Sequence, residues 1–283
     1  MGEQVDIVQR MGGFSAEVEG EPLELDYMVS GDQIIFHHTL TAEALRGRGF
    51  ASQMVEHGLV WASGQERQVV AACSYVQAWL RRHPAWQRVT EPADVQKVLN
   101  FWFGFLGGDE DGQVRGEWFR KSDAFDDEIK SRFGALLEQA LAGGLKEWER
   151  SAFGSLARII LLDQFTRNAF RNTAQAFAGD AEALRMSLAL LESGKAGELT
   201  TLQRWFALIP LEHSEALAMQ DRSVAEFARL AAEDERMKGA LDYAIKHREV
   251  VAQYGRFPHR NAILGRASTA AELAYLAQPG AGF

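Results

Sequence analysis

The chain has 283 residues, of which 47% are hydrophobic and 24% charged, a composition typical of a globular protein with a buried core. The net charge is −9, and neither the first 90 residues (7 basic, 11 acidic) nor the rest (23 basic, 28 acidic) show the basic excess of a non-specific nucleic-acid binder. No apolar run approaches the length of a membrane span, and a single cysteine excludes an internal disulfide. We therefore expect a cytoplasmic protein with neither nucleic acid nor membrane as a partner.

The first 45 residues alternate between apolar and polar side chains, which is the period of β-strands. Three candidate strands, FSAEVEG, LELDYMV and IIFHHTL, begin at residues 14, 23 and 34, and turn-forming GEP and SGD sequences separate them. We expect an antiparallel meander. A helical run, a short apolar strand at 69–73 and a second helical run follow. Because a helix precedes it, the strand at 69–73 should lie parallel to its neighbour through a right-handed crossover.

After residue 90 the hydrophobic period becomes helical and remains so. A first helix is expected in PADVQKVLNFWFGF, and further helical runs lie around 117–142, 147–170, 180–193, 200–208, 211–230 and 234–254. The stretch between Pro84 and Pro92 is the predicted boundary. The sequence thus predicts two domains, an α/β domain over residues 1–90 and an all-helical domain over residues 91–283.

The stretch LRGRGFAS, residues 45–52, has the spacing Arg/Gln-x-x-Gly-x-Gly/Ala before a helical run. Glycine or alanine at these positions lets the backbone approach a ligand, and amide groups converge at a helix N-terminus. Two arginines add charge-assisted contacts, so the stretch is suited to a pyrophosphate. It lacks the third glycine of a dinucleotide fingerprint and the Gly-Lys-Ser/Thr of a P-loop. The alternative is a solvated basic turn that begins a helix.

The order of meander, Arg-x-x-Gly-x-Ala loop, helix and parallel strand resembles the acyl-CoA-binding core of GNAT-like N-acetyltransferases. Residues 14–84 are similar to the short, single-core members of that family. The resemblance implies that the loop holds the pyrophosphate of acetyl-CoA or coenzyme A, and that a β-bulge near His38–Leu40 pairs with the pantetheine arm. The cofactor-binding residues implied are His38, Thr39, Leu40, Arg46, Gly47, Arg48, Gly49, Phe50, Ala51 and Ser52.

Acetyl transfer to an amine needs a base for the ammonium proton and an acid for the departing thiolate. Cys73 and Tyr75 follow the predicted parallel strand, beside the expected position of the thioester. Tyr75 is a candidate acid, and Cys73 a candidate acyl acceptor. The alternative for Cys73 is a small buried core residue.

Four other residues near the predicted cofactor site carry groups that can accept protons. Glu24 and Asp26 project from one strand face and are candidate bases, although exposed strand acids are usually only solvated. His37 and His38 should lie on opposite faces, so that at most one faces the cofactor. The domain lacks the additional helices that form an amine pocket in larger GNAT enzymes, so the acceptor amine cannot be identified.

Three polar clusters interrupt the amphipathic pattern of the helical half: LLDQFTRNAFR (161–171), IPLEHSEALAMQ (209–220) and YGRFPHRNAILGRAST (254–269). In the first, Asp163, Arg167 and Arg171 have the spacing of one helix face. We expect Asp163 and Glu215 to neutralise arginines of the third cluster across helices, because buried charges require partners.

Two interpretations of these clusters remain open, a structural polar network and a pocket for an anion or small ligand. The candidate residues are Asp163, Gln164, Arg167, Asn168, His213, Glu215, Arg256, His259, Arg260 and Asn261. A metal site is not expected, because His213 and Glu215 are two residues apart and on one helix would point in nearly opposite directions.

The three clusters, in this order, resemble the uncharacterised bacterial family known as domain of unknown function nine-two-four, over nearly all of residues 92–283. The resemblance implies an all-helical fold similar to tetratricopeptide-repeat arrangements, and it implies no reaction. Thr166 stands where that family usually has proline after LDQF.

These observations predict an N-acetyltransferase that transfers acetyl from acetyl-CoA to an unidentified amine. Its helical domain would present the acceptor, or bind a ligand or a protein partner of its own. The alternative is a non-catalytic acyl-CoA sensor joined to an interaction scaffold. A third possibility is that the helical domain is itself an enzyme.

Overall fold

The computed structural model describes residues 4–282, which form two compact units, one ending at Arg115 and the other beginning at Gly116. The domain boundary that the sequence predicts at residue 90 stays a prediction. No helix in the described range is both long and apolar enough to cross a bilayer.

The first unit contains a five-stranded sheet, counted over the described residues, in the order β1-β2-β3-β4-β5. The pairs β1–β2, β2–β3 and β3–β4 are antiparallel, and β5 is parallel to β4. The elements are β1 Val8–Arg10, β2 Gly13–Val18, β3 Glu21–Ser30, β4 Gln33–Thr41, α1 Phe50–Ser63, β5 Gln68–Ala71, α2 Ser74–Arg82 and α3 Ala93–Phe103. The predicted meander and parallel strand are confirmed. Strand β1 was not predicted, because three residues are too few to show alternation.

Helix α1 packs closely over the sheet at Gly58. A Cβ atom at this position would lie 2.6 Å from Leu25 Cδ2 and 3.3 Å from Phe36 Cε1. Leu25 and Phe36 are fully buried, as is Phe14 on the neighbouring strand. The absence of a side chain at residue 58 therefore brings the α1 backbone close to the centre of the sheet, and this places the start of α1 near the end of β4.

The stretch between Pro84 and Pro92, which is the predicted boundary, is ordered and connects α3 to the rest of the first unit. Arg88 is buried in a 3-10 turn over Pro84–Thr90, and its Nη2 donates to the carbonyl of Gly104, 2.7 Å away, and to Asn100. Gln96 Nε2 donates to the carbonyl of Val89 at 2.9 Å. Burial lowers the pKa of Arg88 to about 10, so the side chain stays charged at neutral pH. These contacts satisfy only the Nη2 of Arg88, because its Nε and Nη1 are buried without a hydrogen-bond partner among the described residues.

The second unit is helical throughout its described residues, which confirms the predicted fold class. Its elements are α4 Asp123–Leu141, α5 Ala152–Ile159, α6 Thr166–Ala169, α7 Asp180–Glu192, α8 Thr201–Glu212, α9 Leu217–Glu233, α10 Lys238–Tyr254 and α11 Ala270–Leu276. Helices α7 to α10 pack in succession, each against the next. The short α11 was not predicted, and the similarity to tetratricopeptide arrangements stays a prediction.

A π-helical turn over Ile160–Phe165 joins α5 to α6 in one continuous helix. The hydroxyl of Thr166, the residue that replaces the family's usual proline, donates to the carbonyls of Leu162 (2.9 Å) and Asp163 (3.2 Å). Gly179 lies directly against this turn, since a Cβ atom there would be only 2.1 Å from the Leu162 carbonyl oxygen. The beginning of α7 is thereby held close to the π turn.

Candidate functional site

The Arg-Gly loop of the first unit ends in an open helix N-terminus. Gly47 and Gly49 have φ angles of 76° and 89°, which favour glycine, and Gly49 is the N-cap of α1. No described side chain caps this end, whereas the amides of Ser52 and Gln53 both donate to the Gly49 carbonyl. The first amides of α1 thus remain for a ligand, at the positive end of the helix dipole.

The two arginines of the loop differ in their surroundings, although the sequence predicts charge-assisted contacts from both. Arg48 makes two hydrogen bonds to Glu19, of 2.6 and 2.8 Å, and its guanidinium lies 4.8 Å from the ring centre of Phe50. The hydrogen bonds and charge of Arg48 lower the pKa of Glu19. Arg46 is exposed and has no ion-pair partner in the described part of the chain. Arg46 is therefore the arginine available to an incoming anion.

The last predicted loop residues offer main-chain rather than side-chain groups. The side chain of Phe50 is buried in the core of the first unit. The Ser52 hydroxyl accepts a 2.7 Å hydrogen bond from Nε1 of Trp79. The contribution of Phe50 and Ala51 to ligand binding is therefore limited to their backbone amides and the small volume of Ala51, because the Ser52 amide already donates to the Gly49 carbonyl.

Strands β4 and β5 separate beside this loop. Their pairing ends at Phe36 and Ala71, where the Phe36 carbonyl accepts hydrogen bonds from both Ala72 and Cys73, each at 2.9 Å. Asp26 pairs with His38 and Tyr27 with Phe36, so His37 is the additional residue of a β-bulge. The bulge lies one residue before the predicted position. Beyond it, no described strand pairs with β4 on the β5 side.

Both histidines at the bulge, His37 and His38, are exposed. The expectation that they lie on opposite faces assumed regular alternation, which the bulge interrupts. Thr39 is partly buried, and Leu40 is 39% exposed. The backbone of residues 38–40 therefore lies at an accessible position in the gap.

Cys73 lies at the N-cap of α2, where the two strands have separated. Its Sγ is 3.3 Å from Thr39 Oγ1, and the side chain is half-buried rather than enclosed in the core. Burial alone would raise the pKa of the Cys73 thiol, but the Thr39 hydroxyl and the amides of Val76 and Tyr75 lower it below its usual value. Tyr75 is half-buried, and its hydroxyl makes no hydrogen bond to the described residues.

A second polar cluster surrounds the π turn of the helical unit. Asp163 is fully buried, and its two oxygens lie 2.6 Å from His213 Nδ1 and 2.6 Å from Gln164 Nε2. Burial would raise the pKa of Asp163, but the charge and hydrogen bond of His213, with the charge of Arg167, lower it. The carboxylate is therefore ionised and fixes the orientation of the His213 ring.

Two arginines meet at Asp180, the first residue of α7. The Oδ1 of Asp180 lies 2.8 Å from Arg167 Nη2, and its Oδ2 lies 3.3 Å from Arg260 Nη1. Both guanidinium groups also contact the ring of Phe177, at 4.7 and 4.8 Å from its centre. Burial lowers the pKa of Arg260 to about 10, so it remains a cation at neutral pH. Asp180 and Phe177 thus hold two positive charges side by side.

A family model for a bacterial protein of unknown function (DUF924) matches residues 98–280, more than half of the chain. The chain belongs to this family. A second model, for GCN5-related N-acetyl-transferase, matches residues 13–89, so an acetyltransferase domain precedes the DUF924 domain. A structure of the protein of unknown function ATU0120 from Agrobacterium tumefaciens is 34% identical, with a TM-score of 0.58 over 65% of this chain and 97% of that one. No curated protein matches the chain.

In the DUF924 domain, only part of the predicted second site comes together. Asp163, Gln164, Arg167, His213 and Arg260 form the cluster around the π turn, and the ring of His259 lies 5.6 Å from that of Phe257 at its edge. Burial lowers the pKa of His259 to about 4, so its ring is neutral at pH 7.

The other predicted residues of the DUF924 site lie in separate networks. Asn168 Nδ2 donates to Asp126 of α4 (2.7 Å), and Arg256 pairs with Glu272 of α11 (2.6 Å). Glu215 neutralises Arg266, at 2.7 Å, as expected of an acid near the third cluster. Asn261 is buried and donates to Ser268 at 3.0 Å.

The predicted single polar face of residues 163–171 is therefore wrong. Asp163 and Arg167 face the α7–α8 side, whereas Arg171 binds Asp126 of α4, with its Nε 2.6 Å from the carboxylate. Helix α6 ends at Ala169, so Arg171 lies beyond it and the spacing of one helix face does not extend to that residue.

Sequence reasoning missed a second carboxyl–imidazole pair beneath the cluster in the DUF924 domain. Glu212 Oε1 lies 3.1 Å from His247 Nδ1, and both side chains are buried. Burial and the charge of Asp163 raise the pKa of Glu212 to about 8, and burial lowers the pKa of His247 to about 3. Both are mainly neutral at pH 7. Glu212 lies in the motif LEHSE beside His213, but no motif surrounds His247, so the sequence carried no signal for this pair.

In the acetyltransferase domain, the two candidate bases already have a cationic partner. Arg10 of β1 lies 3.2 Å from Glu24 and also binds Asp26. Because β1 was not predicted, this arrangement was not expected. Both carboxylates are thereby engaged on β3, the central strand of the described sheet.

We expect replacement of Thr39 by valine to make Cys73 less reactive. The variant removes a hydroxyl that stabilises the thiolate, so the pKa of Cys73 should rise and its alkylation by iodoacetamide at pH 7 should become about fivefold slower, the equivalent of one hydrogen bond of about 1 kcal/mol. Cys73 is the single cysteine, so labelling reports on it alone. Thr41→Val, on the same strand, is the control, and equal alkylation rates in both variants would contradict the assignment.

Proposed function

We propose that the chain is an acetyl-CoA-dependent N-acetyltransferase that acts on an amine still to be identified. The observation that carries this proposal is the open N-terminus of α1 next to the gap between β4 and β5, within the segment that matches the acetyltransferase family. A helix N-terminus that can bind an anion is followed in space by an unpaired strand edge. This combination suits a ligand with both a pyrophosphate and an extended amide chain.

The pyrophosphate of the cofactor binds at residues 46–51. The positive φ angles of Gly47 and Gly49 turn the backbone of the loop, and no described atom lies within 4 Å of where a Cβ atom would be at either position. That space admits phosphate oxygens to the first amides of α1. Arg46 supplies the charge-assisted hydrogen bond, because Arg48 is already bound to Glu19.

The pantetheine arm lies along residues 38–40 of β4. This part of the strand has no paired strand on its β5 side within the described residues, so its main-chain groups can pair with the two amides of the arm. The thioester then reaches the end of the gap, where Thr39 and Cys73 lie.

The reaction joins the amine nitrogen to the acetyl carbonyl carbon and breaks the bond from that carbon to the cofactor sulfur. The proton lost by the amine balances the one gained by the departing thiolate. Tyr75 is the candidate donor to that thiolate. Cys73 is the candidate acyl acceptor: its thiolate would take the acetyl group, release coenzyme A, and pass the group to the amine. Mass spectrometry after incubation with acetyl-CoA distinguishes the two routes, because only the second leaves an acetylated cysteine.

The test is calorimetric titration of acetyl-CoA into the intact chain and into single arginine variants. Arg46→Ala should weaken binding by about 10- to 100-fold, the equivalent of one or two charge-assisted hydrogen bonds. Arg48→Ala should weaken it less, because that arginine must first leave Glu19. Arg82→Ala, an exposed arginine at the end of α2, removes the same charge as a control. Absence of binding to the folded intact chain would refute the proposal.

A second candidate function is a sensor that binds acyl-CoA without turnover. It is favoured by the ion pairs of Glu24 and Asp26 with Arg10, because these pairs engage the two carboxylates that are the candidate catalytic bases. In that case the chain binds acetyl-CoA but acetylates no member of a panel of amines, and the helical unit serves as an interaction scaffold. Acetylation of any amine in the panel, lost in Arg46→Ala, would exclude the sensor.

A further inference from the structure

The polar cluster at the π turn has a buried floor and a partly exposed rim. Asp163 and Arg260 form the floor, with residue exposures of 0% and 6%. Gln164, Arg167 and His213 form the rim, and the side chains of Arg167 and His213 are 21% and 18% exposed. The charged group of a ligand can therefore contact the rim from solvent. Electrostatic interactions with the buried floor are strengthened by the low dielectric of the interior.

His213 is oriented with one ring nitrogen toward the rim. Because Asp163 is ionised, its oxygen can only accept, so His213 Nδ1 carries a proton and donates to it over 2.6 Å. The other nitrogen, Nε2, has no hydrogen-bond partner among the described residues. A carboxylate that fixes one side of an imidazole leaves the other side for a ligand.

The charges of the cluster do not oppose an incoming anion. Two guanidinium groups, Arg167 and Arg260, face two carboxylates, Asp163 and Asp180, and burial raises the pKa of Asp180. The other titratable groups around His213 are Glu212, His247 and His259, which are mainly neutral at pH 7, and Glu215, which pairs with Arg266.

Two further features of the cluster are typical of ligand sites. The π turn that carries Asp163 is a distortion found frequently at functional sites. The Nε of Arg260 is buried and has no hydrogen-bond partner in the described part of the molecule. A buried donor without an acceptor is costly, and such a group usually indicates a missing water or ligand.

We propose that this cluster binds the oxyanion group of a small molecule, a phosphate or a carboxylate, with Arg167 and the ring of His213 as its contacts at the rim and Arg260 as the charge beneath. The phenyl rings of Phe177 and Phe257, each stacked on Arg260 at 4.8 and 4.6 Å, hold that guanidinium in place. This site belongs to the helical unit and does not depend on the acetyl-CoA proposal.

Sulfate is the appropriate first probe, because its charge does not change between pH 6 and pH 8. We would titrate sulfate into the full chain and follow the ring Cε1–H resonance of His213 by NMR, assigned by its loss in His213→Gln. This signal separates binding here from any sulfate bound at the Arg46 loop. Sulfate should shift the resonance with saturation.

Two variants test the named contacts by calorimetry, and a third is their control. Arg167→Gln should weaken sulfate binding by about tenfold or more, since a charge-assisted hydrogen bond is lost. His213→Gln removes the ring nitrogen Nε2 from the rim, so it should bind sulfate more weakly than the intact chain does. Arg248→Gln, an exposed arginine paired with Asp221, is the control for overall charge and should bind as the intact chain does.

Inorganic phosphate and acetate then compete for bound sulfate, and the stronger competitor identifies the class of oxyanion. The proposal is overturned if the His213 resonance does not respond to sulfate at millimolar concentration. It is also overturned if Arg167→Gln binds sulfate as tightly as Arg248→Gln does. Circular dichroism of each variant confirms that loss of binding is not loss of fold.

Discussion

Replacement of Gly179 by alanine should lower the free energy of unfolding by about 3 kcal/mol, the upper range for forcing additional atoms into a packed core. The backbone of Gly179 is right-handed, with φ −89° and ψ −10°, so alanine introduces no torsional strain. The cost arises because its Cβ atom would lie 2.1 Å from the carbonyl oxygen of Leu162. Either α7 or the π turn must move, and Asp180 would move away from Arg167.

The matched control for Gly179 is Gly134, which lies within α4 and has no described atom within 4 Å of the position that a Cβ atom would take. Gly134→Ala should stabilise the chain by about 0.5–1 kcal/mol, because alanine is the better helix former. Urea denaturation followed by far-UV circular dichroism measures both. A midpoint for Gly179→Ala equal to that of the parent chain would contradict the close contact.

Replacement of Gly49 by valine should abolish measurable acetyl-CoA binding, with a loss of about 100-fold or more. The valine side chain would occupy the space in front of the first amides of α1, where the ligand's anionic group is proposed to bind. The same change also strains the backbone, because φ is 89° at this position and the left-handed region costs a residue with a side chain about 1–2 kcal/mol.

Backbone strain and ligand blockage are separated by Gly31→Val. Gly31 has a φ angle of 59° in the β3–β4 turn and an equally open Cβ position, but it lies outside the proposed cofactor site. Both variants should lose similar thermal stability, and only Gly49→Val should lose acetyl-CoA in a calorimetric titration. Equal affinities of the two variants would show that the amides of α1 do not hold the cofactor.

Alternation and helical periodicity were sufficient to predict the meander, the parallel strand β5 and the helical second half. These patterns reflect burial of one face, which is a local property of each segment. Strand β1 escaped prediction because it is short, and the pairing of Arg10 with Glu24 and Asp26 depends on it. The bulge at His37 also changes exposure in a way that regular alternation cannot represent.

The candidate sites were harder to predict, because they depend on contacts between distant parts of the chain. The loop glycines were found from spacing alone, but the engagement of Arg48 by Glu19 joins residues 29 positions apart. In the helical unit, the end of α6 at Ala169 invalidated the spacing that placed Asp163 and Arg171 on one face. Asp180 and Phe177 lie in a segment without a recognisable motif, so their role became visible only in three dimensions.

The separation of β4 from β5 has a consequence for the stability of the ligand-free chain. Residues 37–41 present an unpaired strand edge on the β5 side of the described sheet, and unpaired edges invite association with other extended chains. A ligand that pairs along this edge completes the sheet and binds only the folded state. By mass action, any such ligand should raise the melting temperature in proportion to the logarithm of its concentration and suppress aggregation on heating.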